Sequence, residues 1–366
     1  MNILQLYKDY YPVLGGIENH LRLLSEGLVA RGHQVTALVT GAGRHTEIRQ
    51  LNGVRVIYAG RLANLARAPL SPATLSLLAA ERPDVVHLHM PYPPGDLAYW
   101  LAGRGRRLVI TYHSDIVRQR RLLRLYAPLL WATLRRASQI IATSPAYLAS
   151  SLFLAPLAER CTVVPYGIHL NRFEQADPAR IAATRARYPS PLILFVGQLR
   201  YYKGAEQLIR AMAHTPGRAV LVGGEASVRR ADLEALTRAL GLAERVELVG
   251  EQEQNLSAFY HAADLFILPS VERSEAFGIV QIEAQAAGLP IVATELGTGT
   301  SYVTQHGRTG FIVPPSEPLA LARAMNVLIE NPALARHMGQ AGRARARAEF
   351  TADRMIDQIE GVYRDT

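Results

Sequence analysis

The chain alternates short apolar runs with longer amphipathic stretches, and this pattern constrains its fold more than any other feature. The amphipathic stretches have helical spacing, as in Gly16–Arg31, where Leu21, Leu24 and Leu28 share one face. The apolar runs have strand length and no polar alternation, as expected of parallel strands covered on both faces. They form two series: Met1–Leu6, Gln34–Val39, Val54–Tyr58, Val85–Leu88, Leu108–Tyr112, Gln139–Ala142 and Thr162–Val164, then Leu192–Val196, Ala219–Val222, Val246–Val249, Leu265–Leu268, Pro290–Ala293 and Phe311–Val313. This alternation predicts an α/β fold of doubly wound parallel sheets.

The two series predict two domains. A length of 366 residues is enough for two cores of ordinary size. The strand pattern breaks at Asn171–Ser190, a proline-containing stretch that is the best linker candidate. We therefore expect Rossmann-like domains at 1–170 and 171–349, with an amphipathic helix at 350–366 that packs back on the first. Two facing domains of this kind place the carboxyl ends of their strands, and any ligand, at a deep cleft between them.

Basic charge is concentrated in one segment. The formal net charge is +9, and residues 100–136 contain nine arginines and a single acidic residue, Asp115. Such a segment indicates an anionic partner, which could be nucleic acid, a membrane surface or a phosphorylated substrate, and the alternative is a solvated helix face. A nucleic-acid binder would show a steeply salt-dependent affinity for DNA, but the sequence has no known binding motif.

Cysteine content and hydropathy indicate the compartment. The one cysteine, Cys161, cannot form an internal disulfide, which is typical of a reducing cytosol. The first residues, MNILQLYKDY, lack the pattern of a signal peptide, and the apolar run Leu125–Leu134 is about half as long as a membrane span. We expect a soluble, cytoplasmic protein.

The strongest local signal follows the strand Leu265–Leu268. It is the segment Ser274–Glu283, SEAFGIVQIE, which is expected to open a helix that ends at Gly288. A helix that begins after a parallel strand favours phosphate binding at its free N–H groups. On a helix, Glu275 and Glu283 would be separated by roughly 12 Å of rise, too far for a pair of glycosidase carboxylates. They suit hydroxyl groups at the two ends of an elongated ligand such as a nucleotide sugar, and the alternative is two solvated helix residues.

Residues 270–315 resemble the donor site of retaining glycosyltransferases of family 4, which have the GT-B fold of two facing Rossmann-like domains. The resemblance rests on two glutamates separated by seven residues, followed by the turns GTGTS at 297–301 and GRTGF at 307–311. It implies that Glu275 contacts the donor sugar and Glu283 the nucleotide ribose. It also implies a donor surface formed by Ala276, Phe277, Gly278 and Ile279.

A second element, FVGQLRYYKG at 195–204, follows the first strand of the second domain. Arg200 and Lys203 lie on a strand-to-helix loop, where two cations could neutralise a departing diphosphate. In the family this segment usually has arginine where this chain has Gln198, so we expect Arg200 to take its place. Lys203 matches the family lysine directly, and the alternative is an exposed basic loop.

Two elements of the first domain complete the expected site. Gly15 and Gly16 precede a helix and permit close approach of backbone amides to phosphate or sugar; the resemblance makes this the loop over the reacting sugar. His113 follows the strand Leu108–Tyr112, where it could hydrogen-bond the reacting sugar or help position the acceptor, against the alternative of a structural histidine. The resemblance implies that it lines the transferred sugar. His87 and His89 are more consistent with structural roles.

The sequence contains no Asp-x-Asp, HExxH or CxxC motif. We therefore expect no metal site and no cofactor other than the nucleoside-diphosphate sugar used as donor. The arginine-rich stretch 116–136 is expected to be an amphipathic helix with its leucines on one side and Arg118, Arg120, Arg121 and Arg124 forming a membrane or acceptor surface. A buried helix with a wet basic face is the alternative.

With the resemblance, these features imply a metal-independent, retaining hexosyltransferase that acts on a lipid-linked or polysaccharide acceptor and has no nucleic-acid partner. We expect a cytoplasmic protein, with peripheral attachment to the inner face of the membrane as the consequence of a basic membrane surface. The segments YHSDIVRQ at 112–119 and LYAP at 125–128 resemble bacterial surface-polysaccharide α-mannosyltransferases, which implies GDP-mannose as donor. The alternatives are transfer from UDP-glucose or UDP-N-acetylglucosamine, a nucleotide-sugar epimerase, a glycoside phosphorylase, or a hinged sugar-binding protein, which would normally be exported.

Overall fold

A computed structural model describes residues 1–13, 15–65, 68–103, 107–224, 227–252 and 254–365. The chain divides into two compact units. The N unit comprises residues 1–166 and 352–366, and the C unit comprises residues 167–351. Each unit has its own parallel sheet and its own layers of helices.

In the N unit the described residues form ten strands. They are β1 (Asn2–Leu6), β2 (Gln34–Thr40), β3 (Glu47–Leu51), β4 (Val54–Ala59), β5 (Ala63–Leu65), β6 (Ala68–Leu70), β7 (Val85–Met90), β8 (Arg107–Tyr112), β9 (Gln139–Ala142) and β10 (Cys161–Val163). Its helices are α1 (Gly16–Ala30), α2 (Ala73–Ala80), α3 (Pro93–Ala102), α4 (Arg120–Arg136) and α5 (Pro145–Ser150). The described strands form a sheet in the order β10-β9-β8-β7-β1-β2-β4-β3, and β5 pairs with β6. Within the sheet β3 is antiparallel and the other pairings are parallel.

The C unit contains the remaining strands, which are β11 (Leu192–Val196), β12 (Arg218–Val222), β13 (Val246–Val249), β14 (Leu265–Leu268), β15 (Ile291–Thr294) and β16 (Gly310–Val313). Its helices are α6 (Asn171–Glu174), α7 (Pro178–Arg187), α8 (Ala205–Met212), α9 (Ser227–Ala239), α10 (Leu256–Ala262), α11 (Val280–Ala287), α12 (Thr300–Val303), α13 (Pro318–Glu330) and α14 (Pro332–Glu349). The described strands are parallel, in the order β13-β12-β11-β14-β15-β16. The strand order reverses between β11 and β14, and doubly wound sheets bind ligands at such a point, outside the strand carboxyl ends.

The last helix, α15 (Ala352–Asp365), belongs to the N unit. Its apolar face, which includes Met355, Ile356 and Ile359, is buried. Polar contacts with α1 and its following turn hold the helix in place: Arg31 pairs with Asp357 at 2.6 Å, and His33 contacts Glu360 at 3.0 Å. The last helix of the chain therefore belongs to the N unit, through its buried apolar face and these polar contacts.

The α/β fold of two Rossmann-like sheets is confirmed, and every apolar run of both series contains a strand. The prediction of a linker at Asn171–Ser190 is wrong, because α6 and α7 form there and α7 packs on α10. By sequence alone, the prolines of this stretch indicate a linker. Pro178 instead occupies the first turn of α7, where a missing N–H is tolerated. Strand β3 has no apolar signal because it is an exposed edge strand. None of the helices formed by the described residues is long and apolar enough to span a membrane.

Candidate active site

The loop after β11 is shaped by a glycine. Gly204 has φ +69°, and a Cβ at this position would lie 1.8 Å from the carbonyl oxygen of Pro269, at the end of β14. Only glycine permits both the left-handed conformation and this approach. The backbone contact from Val271 N to Tyr202 O, at 2.8 Å, joins the same two loops. The sequence Lys203-Gly204 therefore brings the lysine to the carboxyl end of the neighbouring strand.

Lys203 and Glu275 form an ion pair at this point, with 2.5 Å between Nζ and Oε2. Both side chains are nearly buried, with 13% and 8% of their surface exposed. Ser270 donates a second hydrogen bond to the same carboxylate oxygen at 3.1 Å. The carboxylate beside it raises the pKa of Lys203, against the lowering effect of burial. The lysine is therefore a fixed cation at the end of the strands.

The segment before α11 is a loop, and the expectation that Glu275 lies on a helix is wrong. α11 begins at Val280, and Gly278 has φ +80°. The loop is held by the turn after β15, because Thr298 donates to the carbonyl of Glu275 at 2.8 Å. Gly299 N likewise donates to the carbonyl of Ala276 at 2.8 Å. A helical rise therefore does not describe the separation of the two glutamates.

Glu283 lies in the first turn of α11, where a carboxylate is favoured by the helix dipole. Tyr260 donates its hydroxyl hydrogen to Oε2 of Glu283 at 2.7 Å. Burial raises the pKa of Glu283, while the Tyr260 hydrogen bond and the charges of Arg172 and Lys203 oppose that rise. Lys203 is thus within electrostatic reach of both glutamates, and the three form one charged group.

The other predicted donor residues lie around this group. Phe277 is buried and packs edge-on against Phe350, and Gly278 is also buried. Ala276 and Ile279 are partly exposed on the loop, whereas Gln198 and Arg200 are exposed after β11. Arg200 is near enough to Lys203 to lower its pKa, so the loop carries two cations. Sequence reasoning missed Ser270 and Tyr260, which contact the glutamates from a strand end and another helix.

In the N unit, Gly15 is the residue before α1 and Gly16 is its first residue. Gly15 has an extended backbone that any residue adopts, but a Cβ there would lie 2.2 Å from a carboxylate oxygen of Glu18. Glu18 in turn lies 3.7 Å from the ammonium of Lys8. The first glycine therefore leaves room for a carboxylate folded back over the start of the helix.

His113 follows β8 directly and is buried. Its Nε2 lies 2.8 Å from Nδ1 of His89, and its Nδ1 contacts the hydroxyl of Tyr166. His89 continues to Gln5, with 2.7 Å from Nε2 to Oε1. Burial lowers the pKa of His113 and of His89 well below the usual range. The predicted site histidine is thus neutral, and both of its ring nitrogens engage side chains of its own unit.

His20, His89 and His113 are the one set of metal-ligating side chains brought together among the described residues, with ligand atoms within 4.8 Å of one another. Sequence spacing gave no signal because they come from α1, β7 and the end of β8. The shortest separation, 2.8 Å between His89 and His113, is a hydrogen-bond distance. Two nitrogens on one tetrahedral zinc would be about 3.3 Å apart, as bond lengths of 2.0–2.1 Å require. The arrangement suits a shared proton better than a metal.

The basic helix α4 differs from its expected arrangement. Leu130 and Leu134 are buried, but Leu122 is 51% and Leu125 82% exposed. Arg118, Arg121 and Arg124 are exposed along the same stretch, whereas the side chain of Arg120 lies outside the described residues, as do Arg104 and Arg106. Apolar and basic side chains therefore share one surface, and Leu122 does not join the buried side as predicted.

Helix α3 packs against α4 and has exposed apolar side chains of its own. Leu97, Trp100 and Leu101 are exposed on it. The two helices are joined by hydrogen bonds from Trp100 Nε1 to Thr133 at 2.9 Å and from the Tyr126 hydroxyl to the buried Asp96. Burial raises the pKa of Asp96 to about 8. We call the exposed residues of α3 and α4, which are Leu97, Trp100, Leu101, Leu122, Leu125, Arg121 and Arg124, the α3–α4 surface.

Two Rossmann-like sheets, with a lysine and two glutamates grouped beyond the strand ends of the second, are the arrangement of glycosyltransferases of GT-B fold. Solved structures agree on the fold. Sucrose-phosphate synthase from Thermosynechococcus elongatus matches with a TM-score of 0.83 and 24% identity, over 100% of this chain and 98% of that one. HepE of Anabaena, in complex with UDP and glucose, matches with a TM-score of 0.81 and 23% identity over the full length of both chains.

Sequence comparison places the chain more narrowly. Residues 14–172 match Glycosyltransferase Family 4, and residues 179–345 match Glycosyl transferases group 1. The O-antigen chain mannosyltransferase C of Escherichia coli is 35% identical, over 99% of this chain and 98% of its own. The D-rhamnosyltransferase WbpZ of Pseudomonas aeruginosa is 37% identical, over 96% of this chain and 93% of its own. The chain belongs to glycosyltransferase family 4 and is a hexosyltransferase.

Proposed function

We propose that the chain is a retaining mannosyltransferase that transfers mannose from GDP-mannose to a lipid-linked saccharide of a surface polysaccharide. The observation that carries the donor site is the ion pair of Lys203 with Glu275 at the carboxyl end of β11 and β14. A nearly buried cation paired with a single carboxylate can exchange part of that pairing for the diphosphate of a donor. The carboxylate then becomes free to accept hydrogen bonds from sugar hydroxyls.

Each residue of the site has a distinct proposed task. Lys203 and Arg200 stabilise the negative charge that develops on the departing diphosphate, which is the largest electrostatic change in the reaction. Glu275 orients the sugar, and Glu283, held by Tyr260, binds the ribose. Gln198 and residues 276–279 line the donor. In the N unit, Gly15, Gly16 and His113 meet the reacting sugar, and the leaving phosphate oxygen takes the acceptor proton on the same face.

The relatives support mannose as the transferred sugar. One is named a mannosyltransferase and the other a D-rhamnosyltransferase. Rhamnose is 6-deoxymannose, so both sugars have the same configuration at the ring carbons that carry hydroxyls. A donor screen with GDP-mannose, UDP-glucose and UDP-N-acetylglucosamine tests the choice. Turnover of GDP-mannose alone supports it, while turnover of a UDP sugar alone would replace the proposed donor and leave the class of reaction intact.

We also propose that the reaction needs no resident metal or cofactor. The fixed cation at Lys203, together with Arg200, supplies positive charge where many other transferases use a divalent ion. Activity should persist in EDTA and remain unchanged on addition of Mg²⁺ or Mn²⁺. Loss of activity in EDTA that added metal restores would refute this part of the proposal.

The partner of the α3–α4 surface is proposed to be the anionic inner face of the membrane that carries the acceptor. Exposed leucines and a tryptophan beside arginines are the composition of an interfacial segment, where apolar side chains enter the lipid and cations meet its headgroups. The neighbouring helix supports the proposal beyond charge alone, because Leu97 and Leu101 add exposed apolar side chains.

Vesicle flotation tests this surface. Replacing Leu122 and Leu125 together with serine should weaken binding to phosphatidylglycerol vesicles about tenfold or more, since burying a leucine contributes roughly 1.5–3 kcal/mol and insertion here is partial. Leu319→Ser, at a leucine 50% exposed on α13 of the C unit, is the matched control. Equal flotation of the double variant and wild type, or no flotation of wild type at low salt, would refute the membrane contact.

A further inference from the structure

The buried polar side chains behind His113 form a continuous chain of hydrogen bonds across the N unit. It runs from Tyr166 through His113, His89 and Gln5 to Tyr363 of α15, with a branch from Tyr363 to His87 and Thr111. Its members come from β1, β7, β8 and α15 and from the segments after β8 and β10. Their side chains are almost wholly shielded from solvent. Nothing in the donor site requires a polar chain of this length.

Hydrogen bonding makes the members of this chain depend on one another. A neutral imidazole has one nitrogen that donates and one that accepts, so a contact at one nitrogen determines the role of the other. The Gln5 amide nitrogen donates to the hydroxyl of Tyr363 at 3.2 Å, which turns its carbonyl oxygen toward His89 Nε2 at 2.7 Å. A carbonyl oxygen only accepts. His89 must therefore carry its hydrogen on Nε2 and accept at Nδ1.

The same logic fixes the next residue. Because His89 Nδ1 accepts, the Nε2 of His113 at 2.8 Å must be the donor. His113 Nδ1 is then an acceptor, and the Tyr166 hydroxyl donates to it. Reversal of any one bond would require reversal of them all.

We infer that Gln5, oriented by Tyr363 of the C-terminal helix, is a positioning residue that sets the tautomer of His113 through His89. This step rests on the proposed function, in which His113 meets the reacting sugar. Because both ring nitrogens of His113 are engaged, its tautomer fixes the orientation of the ring and the direction of the hydrogen bond from the Tyr166 hydroxyl.

Neutral imidazoles are a condition of this mechanism, and the surroundings provide it. Burial lowers the pKa of His87 and His20 to about 3, and that of His89 and His113 well below the usual range. Their rings lie face to face or edge to face. His87 stacks on His89 with 4.4 Å between ring centroids, His89 stacks on His113 with 5.1 Å, and His20 meets both His89 and His113 edge to face. Such packing excludes the water that would otherwise let the tautomers exchange independently.

Nitrogen-15 NMR of histidine-labelled protein reads the tautomers directly and does not depend on activity. Wild type should show His89 and His113 as neutral rings protonated at Nε2. In Gln5→Met, His89 Nε2–H loses its acceptor, and a buried N–H without a partner is costly. Rings protonated at Nδ1 should then appear at both histidines. Tyr363→Phe, which frees the Gln5 amide to rotate, should produce the same mixture and serves as the second variant if Gln5→Met folds poorly.

Kinetics supply the functional half of the test. Groups that orient metal-bound imidazoles are worth about 10–100-fold in activity, so Gln5→Met should lower kcat at least about tenfold and leave the donor KM unchanged. Thr237→Val, which removes a buried hydroxyl bonded to Leu233 O in α9 of the C unit, is the control for general destabilisation. Its tautomers and kcat should match wild type.

Three results would overturn the inference. The first is His113 protonated at Nδ1 or cationic in wild type, and the second is an unchanged tautomer in both variants. The third is stoichiometric zinc at His20, His89 and His113, which would mean coordination in place of the shared proton. If wild type transfers no sugar but the tautomers change as described, the proposed function fails and the positioning chain stands.

Discussion

Replacing Glu275 with glutamine tests the donor site through stability as well as activity. The change keeps the shape of the side chain and removes the charge that lies 2.5 Å from Lys203. Breaking a buried ion pair by removing one partner costs about 3–5 kcal/mol, because the other charge stays buried without compensation. Here the glutamine oxygen still accepts from Lys203, and both side chains retain some exposure. We therefore expect a loss of about 2–3 kcal/mol in the free energy of unfolding.

A bound diphosphate should reverse much of that loss. In E275Q the ammonium of Lys203 no longer has to give up an ion pair with residue 275 when GDP binds, so the phosphate oxygens of GDP become its charged partner. At a GDP concentration of 100 times Kd, binding stabilises a protein by about 2.7 kcal/mol. E275Q should bind GDP more tightly than wild type and gain correspondingly more stability, while it transfers no sugar.

Guanidinium denaturation with and without GDP measures both effects, with UDP as a comparison nucleotide. The double variant K203M/E275L is the control for the pair, since removing both charges together should cost less than removing the carboxylate alone. The reasoning fails if E275Q unfolds within 0.5 kcal/mol of wild type, or if GDP stabilises wild type and E275Q by the same amount.

Three further predictions concern single groups. Asp96→Asn should flatten the pH dependence of stability between about pH 4 and 8. The buried carboxyl, with a pKa of about 8, keeps a proton that the unfolded chain loses above about pH 4. Wild type should therefore lose up to about 1.4 kcal/mol of stability per pH unit as pH rises through this window, which urea titrations at several pH values would measure. Tyr260→Phe removes a hydrogen-bond donor that lowers the pKa of Glu283, so the pKa of Glu283 should rise further. Since the ionised carboxylate is the proposed ribose acceptor, nucleotide affinity measured by calorimetry as the pH is lowered should begin to fall at a higher pH than in wild type. His20→Leu should raise the free energy of unfolding by about 1 kcal/mol or more, because both ring nitrogens are buried with no hydrogen-bond partner among the described residues, and a lower value would show that the imidazole has a partner.

The sheets could be predicted because parallel strands leave a local signal. Buried runs such as Leu192–Val196 are apolar on both faces, and every such run contains a strand. Where a strand is exposed on both faces the apolar signal disappears, as in the edge strand β3. Asn171–Ser190 failed for a different reason, because a proline can begin a helix as well as break one.

Residues of the site could be predicted only where each lies within a short, recognisable sequence motif. Glu275, Glu283 and Lys203 were found from short motifs, and the structure brings the three charges within reach of one another. Ser270 and Tyr260 were missed because each contacts a glutamate from another element. The polar chain behind His113 joins Gln5 to Tyr363 across almost the whole sequence, a relation that no local pattern contains.

The most direct test of the central claim is transfer from GDP-mannose to a synthetic lipid-linked saccharide, with the anomeric configuration of the product determined by NMR. We predict an α-mannoside, which retains the configuration of the donor, from wild type and none from Glu275→Ala. A β-linked product, full transfer by the Glu275→Ala variant, or a folded wild type that neither transfers mannose nor binds any nucleotide sugar would contradict the account.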